Sequence, residues 1–264
     1  MAKSKFTRQN LRTDILKQVL FRVDFTGSTG GQETEQFVVK LKDDWANYFH
    51  RYNKITNKNF KIDINKDGMV RHEQLLQTIH RFSLSQIGQS EAIMDISDDF
   101  ATLTINISEN YEGSDNYLRC FSNLIHRILV SDQFINLKRI GIRKFDHIFI
   151  SEKANIDDIL EEHLWANYSD MGSCLKKEYK DYISTNGTSV NICRSVERVK
   201  VNNVDKIRLI FDVDAYREND RLQRGELRSS DAIYNMMQDE LNVHLFNLFI
   251  NTFKEEYIDQ FYHG

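Results

Sequence analysis

LKRIGIRKFDHIFI, residues 137–150, decides the fold, because its apolar residues alternate in sequence and stand on both parities. Ile140, Ile142, Ile148 and Ile150 fall on one parity, while Arg139, Arg143 and His147 fall on the other, together with Phe145 and Phe149. A strand with apolar residues on both faces belongs in the middle of a sheet. The pattern changes near Arg143 to Phe145, which predicts a local irregularity there.

A central strand needs partners on both sides, and the chain supplies them upstream and downstream. Upstream, ILKQVLFRVDFTG alternates Val19, Phe21, Val23 and Phe25 against Gln18, Arg22 and Asp24. EAIMDIS and FATLTINIS form a hairpin around Asp98 and Asp99, with Leu103, Ile105 and Ile107 on the buried parity. Downstream, NICRSVERVKV and KIRLIFDVDAY are joined by NNVD, where Asn203 suits a tight turn with positive φ. Helices are predicted from Thr34 through Tyr52, over 114–130, over 155–167, and from the capping serines at 229–230 along Ile233, Met237, Leu241, Leu245 and Leu248. These rounds of antiparallel strands and long helices predict an α+β chain of two related halves, 1–151 and 152–264, each a mainly antiparallel sheet with packed helices.

The bulk composition narrows the function. Among 264 residues, 41% are hydrophobic and 28% charged, the balance of an ordered globular chain, and the net charge of -4 gives no global attraction to nucleic acid or anionic membrane. Cys120, Cys174 and Cys193 are widely separated and odd in number, which fits reduced core thiols, a cytoplasmic location and neither a disulfide framework nor a zinc cluster. MAKSKFTRQNLRTD is basic without an apolar core, and no run approaches the ~20 apolar residues of a membrane span, so neither a secretory signal nor a membrane role is expected. Proline is absent, leaving the turns to Gly, Asn and Asp.

DINKDGMVRHEQ, residues 63–74, has the spacing of a calcium loop, with Asp63, Asn65 and Asp67 as ligands, Gly68 at the sharp turn and Met69 offering a carbonyl. Position 12 is Gln74, which cannot chelate through two carboxylate oxygens, and ITNKNFKI before it reads as a strand. The turn reading is therefore preferred, leading into a helix that bears Leu75, Ile79 and Phe82, and no cofactor is expected. Asp212 and Asp214 share one strand face and have the chemistry to hold magnesium or to act as acid and base. Neutralising arginines is the preferred role for them, with Arg194, Arg198 and Arg143 as the candidate partners. Arg139, Arg143 and His147 on one face offer a grip for a phosphate or carboxylate group, weighed against the same internal pairing. YRENDRLQRGELR from Tyr216 reads as a solvated, arginine-bearing loop. Walker, Rossmann, zinc-hydrolase and nucleophile-elbow patterns are not found.

ISDDFATLTINIS, NYLRCFSNLIHRI, RIGIRKFDHI and LIFDVDAY occur in an order that resembles a sporadically distributed prokaryotic family of uncharacterised proteins of about this length, with R-I-G-L-R-Y-I-N-like and L-D-I-D-like strands. Arg139, Gly141, Arg143, Asp212 and Asp214 match its motifs, while Lys144, Phe145 and Asp146 stand where the family has Tyr, Ile and Asn. The resemblance implies no known activity. Its scattered distribution implies a mobile-element or phage-defence context. The expectation is a non-enzymatic interaction or regulatory protein with a protein partner or a homo-oligomeric assembly. The alternative is a nucleic-acid-binding or RNA-processing protein using Arg139, Arg143 and the loop at 217–228.

Overall fold

A computed structural model describes residues 15–27, 31–45, 50–64, 70–84, 91–107, 114–131, 135–161, 175–185, 187–218, 222, 227 and 229–259. Among these residues, nine antiparallel strands form one sheet: β1 (Leu16–Thr26), β2 (Arg51–Ile64), β3 (Val70–Leu84), β4 (Glu91–Ile96), β5 (Phe100–Asn106), β6 (Asn136–Ser151), β7 (Lys176–Thr185), β8 (Thr188–Val201) and β9 (Val204–Glu218). Their order across the sheet is β2-β3-β4-β5-β1-β6-β9-β8-β7. The helices are α1 (Gly31–Trp45), α2 (Asp115–Ser131), α3 (Ser230–Asn235), α4 (Asn242–Thr252) and α5 (Glu255–Ile258), with a π-helical turn, Met236–Leu241, between α3 and α4. The α+β class is as expected. The strands on either side of residue 151 share one sheet, because β6 pairs with β9 from Arg139↔Glu218 to Ser151↔Lys206.

One apolar row crosses all nine strands: Tyr52, Phe82, Met94, Leu103, Phe21, Ile142, Ala215, Val190 and Ile183 are successive register partners. The period-two alternation of each strand places that row on one face, where burial of a large apolar side chain stabilises by about 1.5–3 kcal/mol. The helices cover this face. Leu118, Phe121, Leu124, Ile125 and Ile128 recur at three and four along α2 and are buried, with the Phe121 ring 6.3 Å from that of Phe21. Phe249 of α4 lies 6.2 Å from Phe211 of β9. Tyr234 of α3 hydrogen-bonds Asp115 of α2, and the Arg119 guanidinium stacks 4.2 Å over the Tyr234 ring. Ser229 caps α3, its hydroxyl accepting from the Ala232 N–H at 3.1 Å.

Several elements differ from the sequence expectation. Residues 70–84 form β3, not a helix; the spacing of Leu75, Ile79 and Phe82 is helical, but the segment pairs with β2 from Ile64↔Val70 to Arg51↔Ser83. Helix α1 begins at Gly31, so Thr34 lies within its first turn, and it ends at Trp45, so Tyr52 belongs to β2. Within 155–167 the described residues hold a short 3-10 turn, Ile156–Asp158, capped by Asn155, and an isolated bridge Leu160↔Phe253. The irregularity expected in β6 lies on its neighbour: Leu16 pairs with Asp146 and Gln18 with Phe145, so Lys17 is the extra residue, on β1. Strand β6 itself runs in unbroken register against β9. No helix among the described residues is long and apolar enough to cross a membrane.

Asn202 and Asn203 both have positive φ, 51° and 62°, and close the two-residue β8–β9 turn between Val201 and Val204. That conformation matches the right-handed strand twist, and asparagine tolerates it. Gly141 is required for a different reason: a Cβ there would stand 2.9 Å from the Tyr216 Cβ and 3.1 Å from the Ala215 carbonyl oxygen. Gly141→Ala is expected to destabilise by about 1–3 kcal/mol through overpacking, measured as a lower urea midpoint at unchanged m-value.

Candidate functional site

The face opposite the helices is polar, and its centre lies on β6, β9, β8 and β7. Successive register partners set Leu20, Arg143, Asp214, Asn191 and Tyr182 in one row, and Gln18, Phe145, Asp212, Cys193 and Lys180 in the next. Arg143, Lys180, Tyr182, Asn191, Cys193, Asp212 and Asp214 contribute to the lining of an open concavity of about 410 Å³. Tyr182 shares a hydrogen bond of 3.0 Å with Ser189, which fixes one wall.

Four of the residues singled out from sequence meet here in two ion pairs. Arg143 donates through Nε and Nη2 to the two oxygens of Asp212, at 2.7 and 2.5 Å, a bidentate fork. Arg139 donates to Asp214 at 2.5 Å and lies 4.0 Å from Asp24 on its other side. Asp24 in turn accepts from Arg22 at 2.8 Å. Arg139 reaches Asp214 by passing over the Tyr216 ring, its guanidinium carbon 4.4 Å from the centroid. The direct partner of Tyr216 on β6 is Gly141, whose missing side chain clears that path. Burial pushes the Asp214 carboxyl above its ordinary range although Arg139 and Arg143 oppose it, and the hydrogen bond to Asp212 raises Arg143. Arg194 lies on the helix-covered face and pairs with Asp181, so it does not serve the Asp212 and Asp214 pair.

His147 shares the parity of Arg143 but not its company. Its ring makes edge contacts with Phe145 at 4.6 Å and Phe149 at 6.4 Å. Burial holds it below the ordinary imidazole range, which favours a neutral aromatic member of that run. Of the calcium-spaced set, Asn65 and Asp67 lie outside the described residues, and Asp63 stands in β2, in register with Arg71 of β3. The segments before and after the loop are therefore paired strands and not the two helices of a calcium-binding hand. Among the described residues no group of three or more His, Cys, Asp or Glu side chains is placed to hold a metal. Arg217 stands in β9 and pairs with Glu240 of the π-helical turn, while residues 219–221, 223–226 and 228 of the expected arginine loop lie outside the described residues. Cys120 is a packed thiol pushed up to about 11 by burial; Cys193 borders the concavity and is raised by burial as well; Cys174 lies outside the described residues.

Two features were missed. Arg208 pairs with Glu197, which also takes Lys176 at 3.1 Å; burial raises the Glu197 carboxyl, but these hydrogen bonds outweigh it and hold the group low. Counting back from the two-residue turn at Asn202 and Asn203 sets Glu197 directly opposite Arg208, so that pair was readable. Asp146 is different: it lies on the helix-covered parity, opposite Phe211, and burial pushes its carboxyl up to about 7.

No protein-family model matches the chain, and no curated protein matches it. Among solved structures, the crystal structure of the di-domain ARO/CYC StfQ from the steffimycin biosynthetic pathway aligns over 92% of this chain and 98% of its own, at 10% identity and a TM-score of 0.19. A likeness of that size assigns neither fold nor activity here.

Two predictions follow from this geometry. Arg139→Ala strands Asp214 and is expected to cost about 1–3 kcal/mol, whereas the more exposed Arg143 is expected to cost about 0.2–1 kcal/mol. A double-mutant cycle of Arg139→Ala with Asp214→Ala should return a coupling of opposite sign to the single losses. For Asp146, the folded value of about 7 lies above the unfolded value of about 3.9, so the native state binds the extra proton between them and stability falls as pH rises through that window. Asp146→Asn should therefore gain on the wild type progressively from about pH 4 to about pH 7 and hold its advantage above that, read from urea midpoints.

Proposed function

We propose that the protein is a non-enzymatic interaction or regulatory protein that docks a protein partner of mixed-charge polar surface on the helix-free face of β6, β9, β8 and β7. The observation that carries this reading is the internal neutralisation of that face. Arg139, Arg143 and Arg208 each spend their guanidinium on Asp214, Asp212 and Glu197, and Lys180 is held by Glu178 at 3.0 Å. A polyanion is bound through cations that exchange counterions for phosphates, and these cations already have carboxylate partners. The same pairs occupy the carboxylates of Asp212 and Asp214, which an acid–base or magnesium role requires open. Alternating charges around a shallow concavity instead suit a protein surface, where complementarity sets register and rejects wrong partners. The resemblance to a scattered prokaryotic family directs the search for that partner to mobile-element and phage-defence contexts.

Purification of tagged protein from its native host, with bound protein and nucleic acid both read, tests this directly. A stoichiometric protein partner is expected with the wild type and with Val130→Ser, exposed on α2, and is expected to be lost with Asn191→Trp, which fills the concavity. Affinity for single-stranded RNA or DNA that falls steeply with salt, or turnover of a nucleotide or RNA substrate, would overturn the proposal in favour of the nucleic-acid alternative.

A further inference from the structure

At the β2 end of the sheet, α1 is held to the strands by two contacts between charged and aromatic groups, and both lead to His80. That residue lies on the helix-covered parity of β3, in the row that continues through Ile96, Ala101, Val23 and Ile140, and it is 2% exposed. Its imidazole Nδ1 stands 2.9 Å from the Tyr52 hydroxyl, and the two rings are stacked. The Lys42 ammonium of α1 sits 3.5 Å over the same Tyr52 ring. The second contact runs beside the first: Lys54, the register partner of His80 on β2, pairs with Glu35 of α1 at 2.8 Å. Glu35, Val38, Leu41 and Lys42 recur at three and four along α1, so the two polar contacts bracket the buried Val38 and Leu41 on one face of the helix. His80 is thus tied to both, by a hydrogen bond to Tyr52 and by its place opposite Lys54.

This arrangement suits a neutral imidazole and opposes a protonated one. A neutral ring can accept the Tyr52 hydroxyl at Nδ1, whereas a protonated ring carries a hydrogen on both nitrogens, so the hydroxyl has to reverse. The imidazolium would also stand out of water beside the Lys42 and Lys54 ammoniums. The carboxylates that face it are Glu35 of α1 and Asp98 between β4 and β5, and Glu35 is already paired with Lys54 and half exposed. Burial, and after it the charge of Lys54, holds the His80 imidazole below its ordinary value; Lys42 acts in the same direction, and Glu35 and Asp98 oppose it. A lifted α1 returns the ring to water and to its ordinary proton affinity. Below about pH 6.5 the open form therefore binds a proton that the closed form refuses, and opening gains as pH falls, until the closed form takes the proton too.

We infer that His80 is an acid-sensitive latch, whose protonation releases α1 from the β2 end of the sheet and uncovers His80 and the Tyr52 ring. The latch stands at the end of the sheet opposite β7 and is independent of what docks on the helix-free face. Amide hydrogen exchange of the full chain tests it between about pH 5 and about pH 8, above the range in which Glu35, held low by Lys54, takes a proton. After correction for the intrinsic pH dependence of exchange, opening of Gly31–Trp45 should increase by up to about tenfold for each pH unit below about 6.5, the slope of a single proton. The amides of α2 should show no matching loss of protection, which separates release of α1 from global acid unfolding. His80→Gln offers Tyr52 an acceptor without a titrating group and should abolish the pH dependence, whatever it does to the absolute level of opening. His80→Leu, which fills the site without an acceptor, should be equally flat and serves where the glutamine variant does not fold. In the folded wild type the His80 ring, followed by NMR, should titrate below about pH 6.5. Protection of α1 that does not change with pH, a pH dependence that survives in either variant, a parallel opening of α2, or a His80 ring that titrates at or above about pH 6.5 would each overturn the inference.

Discussion

Strand β6 is paired along both edges, to β1 on one side and β9 on the other, and the way Arg139 bridges those edges sets the rest of the molecule. The guanidinium lies between Asp24 of β1 and Asp214 of β9, over the face of Tyr216, in a lane that exists because Gly141 has no side chain. A charge withdrawn this far from water is tolerated only with its partners in place. The arrangement therefore specifies register more than it adds stability: a slip of one residue would turn Arg139 and Arg143 into the helix-covered layer and Ile140 and Ile142 out of it. With that register fixed, Phe21, Ile142 and Ala215 align, and the helices have one continuous apolar row to cover.

The same network decides what the open face can do. Had Arg139 and Arg143 converged on the concavity, two guanidinium forks beside Tyr182 and Asn191 would have made an anion site. They instead point at carboxylates two strand positions apart, and the diagonal reach of each pair spreads alternating charge along β6 and β9. The guanidinium groups of Arg139, Arg143 and Arg208 are each matched by a neighbouring carboxylate on that surface. That matching is what supports the proposed docking of a protein surface over capture of a polyelectrolyte.

Much of the fold was legible where one face of an element is buried and the other is wet. β1, β5, α2 and the N-cap at Ser229 announce themselves through burial period and capping chemistry, and the β8–β9 turn through consecutive asparagines. β7 was invisible because an edge strand exposed on both faces has no polarity alternation to read, only KKEYKDYIST. β3 was misread because Leu75, Ile79 and Phe82 sit at helical spacing, and local periodicity lost to pairing with a long neighbouring strand. The candidate site divides in the same way. That Arg143 and Asp212 carry compensating charge was readable; that they are brought together across 69 residues depends on β6–β9 pairing, which has no local signature. Asp146 escaped because the bulge it faces belongs to Lys17 on β1, and the sequence pattern had placed the irregularity on β6 itself.

The two ends of the sheet are managed by different means, and the difference bears on how the molecule meets others. At the β2 end, α1 is anchored beside the strand: the Lys42 ammonium stands 3.5 Å over the Tyr52 ring, and Lys54 pairs with Glu35 at 2.8 Å. At the β7 end the charges of Lys176, Glu178, Lys180 and Glu197 are exchanged among neighbours on β7 and β8. Exposed pairs of this kind contribute little to stability, so rearranging them costs the fold little. The central network differs in both respects, being partly buried and shared among three strands. The protein thus keeps its costly electrostatics in the middle of the sheet, where they hold register, and its easily exchanged charges at the rim, where an approaching surface can repartner them without loosening the core.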